Sequence, residues 1–361
     1  MTRTQVTRKT YPVIAKAPHR LRIMLIITGL ESGGSEIQLM HLARGLNKTH
    51  EVVVMSLTPG GVHRETLRKA GVAVQSLNSK NPLNLISNTR AAIKKFKPDV
   101  VHAWLWHASI TARLACIGLD VPLIGAMRGQ EPTRPRYWVE RITRPLVSHY
   151  TANSEYIANY YSLRGSKVTI IPNGWPPQMW TQKYGTRRKK HAIAVSRLVI
   201  EKDLTTMIHA MKIASDWKLS IVSTGPREPE LRTLVAELGL TNVEFLGYRK
   251  DVPALVARAS CLIHLAFEES SPNAVIEALL LATPVITSDI PALRELVGSR
   301  GTLIPNGSPQ RLATALQAIA SRPNQSTTRA AQIWAQERFA LSSMVHAHEA
   351  LYTLYARANQ K

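Results

Sequence analysis

The sequence predicts an α/β fold built from two doubly wound, parallel-sheet domains, and three observations carry that prediction. Its 361 residues exceed one ordinary core. Short apolar runs alternate with amphipathic segments of ten or more residues, and a turn-rich, cationic stretch interrupts the pattern near the middle. With 45% apolar and 19% charged residues, the chain can bury enough surface to fold, which excludes a disordered or collagen-like sequence.

In the first half the runs are Ile23–Thr28, Val52–Leu57, Val72–Leu77, Val100–Ala103 and Pro122–Met127. Apolar on both faces and bounded by polar turns, they read as buried parallel strands, with crossover helices between them. The second half repeats the order with Ala192–Ser196, Leu219–Thr224, Val243–Leu246, Cys261–Ala266 and Pro284–Thr287. Between the halves, Pro172-Asn173-Gly174-Trp175-Pro176-Pro177 and the cations of Lys183–Lys190 break helices and resist burial. This places a linker at 176–190, between domains at 21–175 and 191–338. At 339–361, Met344, Val345, His348, Leu351, Tyr352 and Tyr355 recur at helical spacing and predict a C-terminal helix with one packing face.

A basic arm at 1–20 precedes the apolar run Ile23–Leu30. That run is too short for a leader and passes straight into Ser32-Gly33-Gly34-Ser35, the turn after a strand. No stretch of 18 apolar residues occurs, so no membrane span is expected. Cys116 and Cys261 stand alone without metal-ligand spacing, so neither a disulfide nor a bound metal is expected and a reducing compartment is. The formal charge of +22 is uneven, with 24 basic and 9 acidic residues in 1–180. The N-terminal half therefore faces an anion: a nucleic acid, membrane headgroups or a diphosphate substrate.

Ligands of doubly wound sheets bind outside the carboxyl ends of the strands, so the loops after strands hold the candidates. Gly33 and Gly34 open a helix and let backbone amides approach an anion, although an ordinary tight turn would look the same. Neither a dinucleotide fingerprint nor a P-loop is present. Arg197 and Lys202, after Ala192–Ser196, suit a clamp on a diphosphate; the alternative is a solvated turn with Lys202 paired to Glu201 or Asp203. Gly225 follows Leu219–Thr224. The richest segment runs from Phe267 to Leu279. With Ser271 as cap and Pro272 opening the helix, the amides of Asn273, Ala274 and Val275 face phosphate oxygens. Glu269 and Glu277 flank that helix start, two acceptors for the vicinal hydroxyls of a sugar nucleotide.

These elements together resemble the retaining glycosyltransferases of family 4: the E-x7-E of Glu269 and Glu277, Arg197-x4-Lys202, Gly33-Gly34 and Asn173-Gly174, in order over about residues 21–357. The resemblance implies a GT-B fold, two Rossmann-like domains facing across a cleft, with the C-terminal helix crossing back onto the N-terminal domain. It implies that Glu277 binds the ribose, Glu269 lies near the donor sugar, and Arg197 and Lys202 hold the diphosphate with the amides near Asn273. The donor-binding set is then Glu277, Asn273, Ala274, Val275, Gly225, Gly33, Gly34 and Arg128, and the catalytic set Glu269, Lys202, Arg197 and His102. No cofactor is implied beyond the nucleoside-diphosphate sugar, and no metal. In such enzymes the acceptor attacks on the face the leaving group quits, and the departing diphosphate helps to deprotonate it.

The chain departs from the family pattern at Ser270, where a glycine usually follows the first glutamate, and at Leu280-Leu281-Ala282-Thr283. Where some members carry a donor-contacting histidine, this sequence has Arg128, a cation suited to phosphate. His102 is read at a strand end, beside a substrate or packed under a loop; His107, His209 and His264 show no partner pattern.

Arg134–Arg144 mixes cations with Tyr137 and Trp138, and Lys94-Lys95-Phe96-Lys97 adds charge. Such surfaces suit anionic lipid, so the expected acceptor is a lipid-linked saccharide of bacterial envelope or exopolysaccharide synthesis, met at the inner face of the cell membrane. The partners expected are a nucleotide-sugar donor, that acceptor and an anionic membrane surface. Two other readings compete: an epimerase-like nucleotide-sugar enzyme on the same fold, and a nucleic-acid-binding protein motivated by the charge. No helix-turn-helix, zinc or RNP-like signature supports the last.

Overall fold

The computed structural model describes residues 20–130, 133–321 and 325–358. The basic arm, up to residue 19, lies outside them. Thirteen strands occur among the described residues: β1 (Arg22–Ile27), β2 (Glu51–Ser56), β3 (Ala73–Ser76), β4 (Val100–Trp104), β5 (Leu123–Met127), β6 (His149–Ala152), β7 (Val168–Ile170), β8 (His191–Val195), β9 (Lys218–Val222), β10 (Val243–Gly247), β11 (Cys261–His264), β12 (Val285–Ser288) and β13 (Thr302–Ile304). One sheet has the order β3-β2-β1-β4-β5-β6-β7 and the other β10-β9-β8-β11-β12-β13. All the registered pairs between these strands are parallel, so helices cover the sheet faces and the strands carry little alternation. β1 shows why: five of its six residues are buried, because neighbours and helices enclose both faces.

The chain divides into two compact units. The first comprises the described residues up to Ala126, Glu140–His149 and the segment from Ser342; the second comprises Met127–Val139 and Tyr150–Leu341, without the undescribed positions. In the second, Met207, Met211, Leu219, Ile221, Ile263, Ile286, Leu312 and Leu316 pack into one core. In the first, the predicted C-terminal helix forms over Leu341–Ala358 and lays its apolar face on the unit. Tyr352 Oη bonds His102 Nδ1 at 2.6 Å, Glu349 Oε1 meets His50 Nε2 at 3.0 Å, and Tyr355 Oη meets His149 Nδ1 at 2.8 Å. Both cysteines are free and buried.

In each sheet the chain reverses its order of strand addition between two central neighbours, β1 and β4 in one and β8 and β11 in the other. Loops that leave adjacent strands toward opposite helical layers open a crevice at such a point. The candidate residues follow these strands.

Candidate active site

In the second unit, the loops after β8 and β11 are stitched together by backbone. The Asp203 amide donates to the Leu265 carbonyl at 3.2 Å, and the Phe267 amide to the Glu201 carbonyl at 2.9 Å. Lys202 is thereby held between two anchors, and its ammonium pairs with Oε1 of Glu269. The paired side chains are 14% and 13% exposed, so the pair is shielded but reachable. Oε2 of Glu269 accepts from the Ser270 amide at 3.0 Å, and His264 Nε2 lies 3.1 Å from Oε1. Burial alone would raise the Glu269 carboxyl; the His264 hydrogen bond and the Lys202 charge outweigh it and hold it well below the usual range. The bland alternatives for Lys202, Glu201 and Asp203, are otherwise engaged or unpaired with it: Asp203 caps the next helix through Thr206 and accepts from the Gly307 amide.

Arg197 lies in the same loop, exposed, and no ion pair reaches it among the described residues. The loop is pinned from the other side at Gly225. Leu198 donates its amide to the Thr224 carbonyl and accepts from the Arg227 amide. A Cβ on Gly225 would lie 2.4 Å from the Leu198 carbonyl oxygen, so only glycine allows this approach.

The helix predicted after Glu269 runs Asn273–Leu280, starting one residue later than expected. Pro272, not Ser271, is the cap: its φ would suit a helix, but its ψ of 124° is extended, so helical backbone begins at Asn273. No side chain caps this end, which leaves the amides of Asn273, Ala274 and Val275 at the positive end of the helix. Glu277 follows one turn on. No hydrogen bond or ion pair meets its carboxylate among the described residues, and burial pushes it up to about 8.

Arg128 does not project as a free cation. Its Nη2 donates to Asn173 Oδ1 at 2.5 Å, and Asn173 Nδ2 donates to Asn273 Oδ1 at 2.8 Å and to the Ser271 carbonyl at 3.3 Å. Ser270 Oγ donates to the Arg128 carbonyl at 2.9 Å. Arg128 therefore braces the helix start through Asn173. The serine that replaces the family's glycine supplies a second brace.

In the first unit, Gly33 and Gly34 open the helix Gly34–Leu46, with Gly33 as an extended cap and no side-chain cap. His102 differs from expectation. It lies inside β4 rather than at its end, paired in register with Leu25, because the strand continues to Trp104. The ring is fully buried against Trp104, His348 and Tyr352, which places it in the packing of the C-terminal helix rather than on a surface open to substrate.

The sequence gives His264 no partner pattern and does not mark Tyr184, whose hydroxyl pKa is raised by burial and by the nearby Glu277 charge. Neither belongs to a motif; only folding brings them to a carboxylate. Elsewhere in the second unit a cavity of about 1460 Å³, lined by Arg187, Lys189, Arg300 and Gln332 among others, contains none of the predicted site residues. Among the described residues, no three His, Cys, Asp or Glu side chains gather as metal ligands, and no helix is long and apolar enough to cross a membrane.

The Glycosyltransferase Family 4 model matches residues 32–179 and the Glycosyl transferases group 1 model residues 189–322. Over 288 residues the chain is 25% identical to the Campylobacter jejuni GalNAc-alpha-(1->4)-GalNAc-alpha-(1->3)-diNAcBac-PP-undecaprenol alpha-1,4-N-acetyl-D-galactosaminyltransferase, covering 74% of this chain and 79% of that one. It is 25% identical over 279 residues to the Salmonella typhimurium O-antigen chain mannosyltransferase, covering 68% and 75%. Among solved structures, Anabaena HepE in complex with UDP superposes with a TM-score of 0.80 at 21% identity, over 92% of this chain and 99% of that one.

Proposed function

Because this chain belongs to glycosyltransferase family 4 and has the GT-B fold, we propose that its second unit binds a nucleoside-diphosphate sugar and that transfer proceeds with retention and without a metal. The observation that carries the reading is the Lys202–Glu269 pair beside the uncapped helix start at Asn273. Lys202 and the exposed Arg197 supply the positive charge that a leaving diphosphate needs, in place of a divalent ion. The amides of Asn273–Val275 receive phosphate oxygens, and the unpaired Glu277 accepts from the ribose hydroxyls. Glu269, ionised and held by three donors, is suited to orienting the donor sugar rather than to taking a proton. The acceptor oxygen bonds to the anomeric carbon as the bond to the diphosphate breaks, and its proton passes to a diphosphate oxygen. Catalysis is then positioning and charge stabilisation.

The acceptor we propose is a lipid-linked saccharide of envelope or exopolysaccharide synthesis, met at the inner face of the membrane. The names of the Campylobacter and Salmonella relatives support it, since one acts on an undecaprenol-linked glycan and the other on the O-antigen chain. The helix Arg134–Ile142 supports it too, with Trp138 55% and Ile142 73% exposed beside exposed Arg134 and Arg141. Thermal shift and hydrolysis with UDP-, GDP-, ADP- and dTDP-sugars, with and without EDTA, test the donor reading. Stabilisation by one nucleotide family that survives EDTA and is lost in Glu277→Ala is expected; no shift with any of them overturns it.

A further inference from the structure

Glu269 is held by more than its lysine. Oε1 receives both the Lys202 ammonium and, at 3.1 Å, Nε2 of His264, while Oε2 takes the Ser270 amide. His264 closes β11 in register with Thr287 of β12, and its side chain is only 4% exposed. The strand fixes its backbone, and Nε2 of the ring meets Glu269. Its other nitrogen, Nδ1, is buried and has no hydrogen-bond partner among the described residues.

That asymmetry sets the tautomer. A neutral ring with its hydrogen on Nε2 donates to Glu269 and leaves Nδ1 as a bare acceptor. An imidazolium would strand a buried N–H on Nδ1 and put a second positive charge near Lys202, and unmet buried donors are the rarer and costlier case. Burial lowers the ring's pKa in the same sense. The site thus gives Glu269 one charged donor and one neutral donor on a single oxygen.

The two donors face different demands. A donor diphosphate is a stronger attractant for Lys202 than one carboxylate, so its binding draws the ammonium away from Oε1. Among the described residues His264 Nε2 meets no acceptor besides Glu269, and the neutral ring carries no charge that would itself bind the phosphates. Resting on the donor-site reading above, we propose that His264 is a positioning residue that keeps Glu269 aimed at the donor sugar when Lys202 turns to the diphosphate.

The test measures kcat and KM for hydrolysis of the UDP-, GDP-, ADP- or dTDP-sugar selected by the panel, together with the Kd of the matching nucleoside diphosphate. His264→Leu should lower kcat by about 10- to 100-fold, with KM and Kd within about threefold of wild type. His264→Gln places its amide nitrogen near Nε2 and should recover most of the loss; His264→Asn places it near Nδ1 and should not. If His264→Leu does not fold, the Gln and Asn variants alone decide. In a Glu269→Gln background the histidine substitution should add less than about a twofold loss, because the two residues act as one unit. Equal impairment by Gln and Asn, or losses that multiply in the double variant, means the ring is merely packed and overturns the proposal. Wild-type kcat in His264→Leu with Glu269→Gln inactive overturns the histidine role alone, whereas wild-type kcat in Glu269→Gln removes the reading of Glu269 itself.

Discussion

Lys202 meets Glu269 because the chain on either side has already been joined: Glu201 and Asp203 are both bonded to the Leu265–Phe267 segment, which brings the lysine between them within reach of the carboxylate. The ion pair is a consequence of loop stitching at the point where the second sheet reverses its order. The backbone that carries Lys202 is therefore set before any ligand arrives, so the cation is placed beside the proposed diphosphate site in advance.

Lys202→Ala removes the half-buried cation at the proposed diphosphate site, and we expect kcat/KM to fall by about 10²- to 10³-fold. Arg197→Ala, at an exposed position, should weaken nucleotide binding without moving the melting temperature. Steady-state kinetics and thermal melts on both variants check this; full turnover in Lys202→Ala would remove the diphosphate role.

Glu277 predicts an opposition between stability and function. In the unfolded chain its carboxyl ionises near its ordinary 4.5, whereas burial lifts it to about 8 in the folded protein. The folded state keeps a proton that the unfolded state gives up, so this group costs stability increasingly as pH rises from about 4.5 to 8. Glu277→Gln should raise stability at pH 8 by about 1–3 kcal/mol, with the gain vanishing near pH 4. The same variant should lose donor binding. Hydroxyl donors favour the ionised carboxylate, so the wild-type Kd should fall as pH rises toward 8, and a Kd flat from pH 6 to 8 would contradict the role.

Gly225→Ala should be costlier than Gly33→Ala. A methyl group at 225 meets the Leu198 backbone on three atoms within 2.7 Å, so the loop carrying Arg197 and Lys202 must shift. At 33 it meets the carboxylate of Glu36, the end of a side chain that can turn away. We expect about 1–3 kcal/mol of destabilisation and at least about tenfold weaker nucleotide binding for the former, measured by denaturant melts and calorimetric titration.

Ten of the strands are legible as apolar runs bounded by polar turns; burial on both faces makes this plain in β1, β4, β5 and β11, while β3 and β10 are less buried. β6, β7 and β13 are not legible: His149-Tyr150-Thr151-Ala152 is mixed in polarity, and the other two have three residues each, so only pairing reveals them. The candidate site divides in the same way. Glu269, Glu277, Arg197 and Lys202 announce themselves by spacing along the chain. His264 and the Arg128–Asn173–Asn273 chain of bonds depend on contacts across 5, 45 and 100 positions, and local sequence carries no trace of where a buried ring or guanidinium will point.

The first unit contains a buried ion pair that the sequence hides inside a basic stretch. Arg113 Nη2 bonds Glu140 Oε2 at 2.6 Å with both side chains enclosed, and Arg113 Nη1 also donates to Thr143 Oγ1 at 2.6 Å. Glu140→Ala leaves a guanidinium buried against a missing partner and should cost about 3–5 kcal/mol. The double variant Arg113→Met/Glu140→Leu should recover most of it, which urea melts would show.

The same pair sharpens the membrane prediction. Arg144 lies 3.9 Å from Glu140 and is only 19% exposed, so it belongs to the interior network and is withdrawn from the surface. Arg134 and Arg141 are exposed and sit four before and three after Trp138, on the helix face that also bears Ile142. Each such cation contributes on the order of 1 kcal/mol at an anionic surface. Arg134→Glu/Arg141→Glu should therefore abolish sedimentation with phosphatidylglycerol liposomes at low salt, and Trp138→Ser should weaken it in a manner that salt does not mimic. Unchanged sedimentation in both variants would move any lipid contact off this helix.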